Sequence, residues 1–183
     1  MKPTDVLKHE HKIVLAVLDG AEREAKNIQV TGKVDTEKIS KIVDFLRTFV
    51  DKCHHSKEER KFFPRLQERG MPGDDGPIAV MLHEHTLGRN EVAAIADALG
   101  KFTGGDASAT EPLAEHLLAY VKLLRGHIAK LNSQSWPSSC LLPNRPAPAM
   151  LSRISGRPND GPRPGSWTRF SASSACVRSS LNS

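Results

Sequence analysis

The segment DKCHHSKEERKFFP sets His54 four residues before Glu58, and His55 four residues before Glu59. On a helix, positions four apart share a face, one above the other. Imidazole above carboxylate is either a surface contact contributing ~0.2–0.5 kcal/mol or half of a metal site. The other histidines are His9, His11, His83, His85, His116 and His127. Two segments, LKHEHKIV and MLHEHTLG, carry the same histidine–glutamate–histidine triplet. Two others, HHSKEERKFFP and HIAKLNSQSWP, each place a proline ten residues after the first histidine. The pattern repeats, the first segment with the third and the second with the fourth.

These side chains need elements to position them. Val6, Ile13, Val14, Val17 and Leu18 recur at helical spacing, which predicts a helix from about Thr4 to Asn27. Ile39, Ile42, Val43, Leu46, Phe49, Val50 and Cys53 form one stripe of a second helix, from Asp35 or Thr36 to about Glu68, with Pro64 expected to kink or end its regular part. RGMPGDDGP reads as a loop, and Pro77 suits the first turn of a third helix, about Ile78 to Leu99. After GKFTGGDASAT, a fourth helix spans about Glu111 to Lys130. The expected fold is all-α, an antiparallel up-down-up-down four-helix bundle.

Such a bundle can build a metal centre from inward-facing side chains at matching depth. His11 and His85 lie about two turns into odd helices, and His54, Glu58 and His127 lie late in even ones; antiparallel packing brings these levels together. Imidazole and carboxylate without thiolate suit iron or manganese and tolerate zinc. A lone histidine on an apolar face is more often a satisfied core residue; a histidine at consistent depth in every helix is what points to a metal. No histidine belongs to the Glu-x-x-His motif of ferritin-like di-iron bundles. Neither triplet extends to the zinc-protease His-Glu-x-x-His, because Ile13 and Leu87 stand where the second histidine would be.

The chain has 183 residues and a net charge of +5, and that excess lies wholly after Lys130, where six arginines face one aspartate. Residues 1–130 are charge-balanced and show no electrostatic footprint for nucleic acid. The tail is rich in serine, proline and arginine, with no lysine, glutamate or apolar period. It reads as disordered, and its abrupt change of composition resembles a shifted reading frame more than an evolved low-complexity tail. The expected domains are a bundle over 1–137 and a tail over 138–183. Cys53, Cys140 and Cys176 match no zinc module and predict no disulfide framework. With no apolar run of membrane-spanning length and no signal peptide, a cytoplasmic protein is expected, with no membrane or nucleic-acid partner.

EHKIV, HHSKEERKFFP, GPIAVMLHEHTLGR and AYVKLLRGHIAK together resemble the bacterial hemerythrin-like HHE cation-binding domains. The resemblance implies a non-heme di-iron centre held by His11, His54, Glu58, His85 and His127. Counting back from Pro64 selects His54 and Glu58; His55 and Glu59, ~100° around the helix, are expected to be solvated, as are His9 and His83. Tyr120, seven residues before His127, reads as core packing or support behind the ligands. Met81 stands where oxygen carriers have a further histidine and reads as packing, since a thioether suits hard iron poorly. Leu131 takes the place of an acidic residue four after the last histidine, so one tightly bound iron is expected instead of two. The function implied is binding or sensing dioxygen, nitric oxide or peroxide, or holding iron, with dioxygen or another diatomic as partner. The alternatives are a redox or stress-response protein such as an iron–sulfur cluster repair factor, and a structural bundle whose site is impaired. No residue pair specifies a reaction, so no catalytic residue is assigned.

Overall fold

The computed structural model describes residues 3–133. Those residues form an all-α four-helix bundle: α1 (Pro3–Thr31), the composite helix α2 (36–67), α3 (Gly76–Thr103) and α4 (Thr110–Ser133), with a short 3₁₀ turn, Ala107–Ala109, before α4. The tail reading lies outside the described residues. Cys53 is disulfide-bonded, against expectation, while Cys140 and Cys176 also lie outside the described residues.

The helix ends follow from local chemistry. Gly32, at φ 67°, reverses the chain after α1, a conformation that penalises a Cβ, and its N–H closes the helix on the Ile28 carbonyl. Asp35 caps α2 by accepting from the Lys38 amide at 3.0 Å. Asp106 caps the 3₁₀ turn by accepting from the Ser108 amide at 3.0 Å. Each helix packs on its sequence neighbours, and α1 also lies along α4, which closes the ring.

The hydrophobic stripes meet in a long core that includes Leu18, Ile39, Leu46, Phe49, Ile95, Leu113 and Leu117. Each fully buried aliphatic side chain of this kind stabilises the fold by about 1.5–3 kcal/mol. A smaller apolar cluster of Phe63, Leu66, Ile78, Met81 and Leu131 lies apart from it. The buried histidines come from the helical levels between these two clusters.

Helix α2 is not uniformly α-helical. Thr36–Phe45 and Phe63–Gln67 are, but Leu46–His55 and Glu58–Phe62 are wound as π-helix. Hydrogen bonds from i to i+5 widen the turn and reduce the rotation per residue below the 100° of an α-helix. The regular part of α2 therefore changes long before Pro64. That proline is the second residue of the last α-helical segment, where the ladder has just returned from π to α spacing.

Candidate metal centre

Six histidine and glutamate side chains from all four helices converge: His11 of α1, His54, His55 and Glu58 of α2, His85 of α3 and His127 of α4. All six are at most 3% exposed. Glu58 lies at the middle. Its Oε1 faces His11 Nε2 at 3.7 Å and His54 Nε2 at 3.3 Å. Its Oε2 faces His85 Nε2 at 3.1 Å and His127 Nε2 at 3.7 Å. His55 joins the second group, stacked on His85 with ring centroids 3.8 Å apart. One carboxylate thus stands between two donor sets, His11/His54 on one side and His55/His85/His127 on the other.

The opposite ring nitrogens are held from outside. His54 Nδ1 donates to Glu10 at 2.9 Å, His85 Nδ1 to Glu59 at 2.7 Å, His127 Nδ1 to Glu84 at 3.1 Å and His11 Nδ1 to the Asn132 carbonyl oxygen at 3.0 Å. A carboxylate can only accept, so Nδ1 of His54, His85 and His127 carries a proton, and Nε2 of each ring turns inward, where it can bind an ion in its unprotonated form. Cations then neutralise the carboxylates: Lys57 donates to Glu10, Lys130 to Glu84, and Arg89 to both Glu59 (2.7 Å) and Asp51 (2.8 Å).

This outer layer explains the repeated triplets. Glu10 and Glu84 are their middle residues, and each reaches across to the histidine of the next helix. The lysines answering them, Lys57 and Lys130, each follow that histidine by three. The two helical hairpins carry the same lysine–glutamate–histidine arrangement.

Burial alone would push the Glu58 carboxyl up, but the charge of His54 and the close imidazoles of His11 and His127 hold it well below the usual carboxylate range. Burial likewise opposes charge on His54, yet Glu58 and Glu10 outweigh it and raise its pKa to about 9. His55 has only the Asp51 carboxylate 3.7 Å from its Nδ1, so burial dominates and lowers its pKa to about 4.

The side chains named from sequence fall as follows. His11, His54, Glu58, His85 and His127 are brought together. His55, expected to be solvated, is buried among them, because the π turn ending at His55 lets two consecutive side chains face inward. Glu59 is not simply solvated either: it holds His85 from behind. His9 and His83 are exposed. Met81 and Leu131 belong to the smaller apolar cluster. On the last turn of α4 the contact with the histidines comes from Asn132, one residue after Leu131. Tyr120 is buried in the long core. Glu10, Glu84, Asp51, Arg89 and Asn132 went unassigned in the sequence; only the repeated triplet pointed to the first two.

The profile of the hemerythrin HHE cation binding domain matches residues 2–134. The chain belongs to the hemerythrin HHE family. Uncharacterized proteins of Mycobacterium tuberculosis (Rv1995) and Mycobacterium bovis (Mb2018) are each 24% identical to it over 139 residues, covering 74% of this chain and 52% of their own length. The chain thus spans about half the length of the curated relatives it matches. No solved structure gives a significant match.

The residues of this HHE domain suit a cation. His11 Nε2, His54 Nε2, both ring nitrogens of His55 and both oxygens of Glu58 are buried without a hydrogen-bond partner. A buried polar atom left unsatisfied costs about 1–3 kcal/mol. Six of them at one point, all imidazole or carboxylate, are what a hard or borderline divalent cation satisfies. Among the described residues no helix is long and apolar enough to cross a membrane.

Proposed function

We propose that this HHE domain holds two iron ions that share Glu58, and that it binds or senses a small ligand such as dioxygen, nitric oxide or peroxide. The division of the Glu58 oxygens between two sets of imidazoles carries this reading. His11 and His54 would hold one ion with Oε1; His55, His85 and His127 would hold the other with Oε2. Non-heme iron supplies redox chemistry and a coordination position for such ligands.

The protein's own part is to fix the donors and exclude bulk water. Glu10, Glu59 and Glu84 hold three rings in the tautomer that presents Nε2, and Asn132 does so for His11. Phe63 packs near His85, with ring centroids 6.0 Å apart, and helps keep that side dry. The two positions are unequal, with four protein donors at one and three at the other. The four-donor position fills first and holds its ion more tightly. This gives one tight iron by a different route from the Leu131 argument: the weak position is the one short of donors.

Anaerobic titration with ferrous iron, followed by exposure to air, tests the reading. Two uptake steps of unequal affinity, then a near-ultraviolet charge-transfer band growing with bound iron, are expected. Rapid turnover of added peroxide would favour the redox and stress-response alternative. Absence of iron uptake by protein purified without chelators would end the iron reading.

A further inference from the structure

A cleft of about 300 Å³ runs between α2 and α3 and ends at the metal centre. Leu46, Val92 and the Tyr120 ring supply apolar wall; Arg47 and Arg89 supply positive charge and Asp51 negative; His55 lies on its lining. Gly88 also lines it, and a Cβ there would stand 3.6 Å from the Tyr120 ring, so the absent side chain keeps space open.

The volume is too large for a diatomic molecule. At about 30 Å³ for each water-sized unit, it takes roughly ten non-hydrogen atoms. The charges then choose the ligand's sign. Arg89 is matched by Asp51 and Glu59, at 2.8 and 2.7 Å. Arg47 has no ion-pair or hydrogen-bond partner among the described residues. Arg47, exposed at the rim, is thus the guanidinium of the lining that has no carboxylate paired with it among the described residues. One buried polar atom on the lining also lacks a hydrogen-bond partner among the described residues: Nδ1 of His55, which stands 3.7 Å from the Asp51 carboxylate. Buried polar groups of this kind find a partner in ligand or ordered water.

We propose that the cleft binds a small organic monoanion, its acidic group on Arg47 and an apolar body of about ten non-hydrogen atoms or fewer against Leu46, Val92 and Tyr120. The binding stands on the cleft alone. What rests on the iron reading is its consequence: the inner end of the ligand lies at His55, beside the four-donor position. A ligand there controls which small molecules reach that position.

Benzoate is a suitable probe, with benzyl alcohol as its neutral counterpart. Amide NMR spectra of the full chain, loaded with diamagnetic zinc and also metal-free, are recorded during titration with each. Benzoate is expected to give saturable shifts at Gly88 and Tyr120. Arg47→Met should weaken it at least tenfold, Arg47→Lys should retain most of the affinity, and benzyl alcohol should bind at least tenfold more weakly. Val92→Trp, which fills the cleft, should abolish the shifts while leaving zinc uptake intact. Occupation by water alone would show as no saturable shift and would overturn the proposal. So would equal binding of benzyl alcohol, or of benzoate by Arg47→Met. Failure of zinc uptake would overturn the metal reading instead, and the metal-free titration would still judge the cleft by the same outcomes.

Discussion

Replacing Glu58 with glutamine keeps the shape of the side chain and removes its charge. If Glu58 bridges, the change reaches both metal positions at once. Structural zinc in small domains is held by about 10–16 kcal/mol through four donors, or about 2.5–4 kcal/mol per donor. On that scale the His11/His54 position, with three donors, is worth about 8–12 kcal/mol, a Kd between roughly 1 μM and 1 nM. Losing one donor leaves about 5–8 kcal/mol, weaker than about 1 μM, so this position empties at micromolar metal. The four-donor position weakens by about 100–1,000-fold and survives. His11→Ala should weaken only the first position, and His127→Ala only the second. The assay is an anaerobic metal titration against a competing chelator, with elemental analysis after gel filtration. If Glu58→Gln weakens one ion and leaves the other untouched, Glu58 is a ligand but no bridge. If it weakens neither, the centre is not where the geometry places it.

Four further outcomes follow from the surrounding contacts. His54 has a folded pKa of about 9, raised from 6.5, so its contribution to the stability of metal-free protein is fully present below pH 6.5 and is lost as pH rises through 9. An ion at the His11/His54 position must displace that proton, so its affinity should rise about tenfold per pH unit from neutrality to pH 9, with one proton released per ion in weakly buffered solution; a flat profile would refute this. Arg89→Met, which frees the carboxylates behind His55 and His85, should weaken the four-donor position about 10–100-fold and spare the other, as read by chelator competition. Asn132→Asp should strengthen the His11/His54 position about tenfold, because a carboxylate behind His11 raises its basicity; an unchanged titration would show that the contact is incidental. Chelation should lower the melting temperature by roughly 10–20 °C, since metal at a thousandfold excess over its Kd contributes about 4 kcal/mol; calorimetry with and without chelator checks it.

The four helices were legible because each carries a long apolar stripe, and stripes such as Ile39–Ile42–Val43–Leu46 admit little else at this length. The depth of the histidines was legible for the same reason, since antiparallel packing follows from short loops. His55 was not legible, because the sequence argument assumed a constant 100° step. Nothing in LRTFVDKCHH announces i to i+5 hydrogen bonds. The role of Glu10 and Glu84 was half visible: the triplet repeats, but only the packed bundle shows that each glutamate reaches the neighbouring helix and not its own. Arg89 and Asn132 carry no local signal at all; their partners lie 30 and 121 residues away.

The two donor sets differ in where they fall along the chain as well as in number. His11, His54 and Glu58 all belong to the first helical hairpin, whereas the other position needs His85 and His127 as well. A chain emerging from the ribosome completes the first set when residue 58 is exposed, and the second only after almost seventy further residues. Domains fold from the N-terminus at about 5–20 residues per second during synthesis, so the gap is several seconds. If Glu58 bridges two ions as proposed, the three-donor position is assembled first and the four-donor one last. An ion caught early by the nascent hairpin would be passed across Glu58 to the stronger set once α4 docks. Loading by biosynthesis and loading by titration would then follow opposite orders.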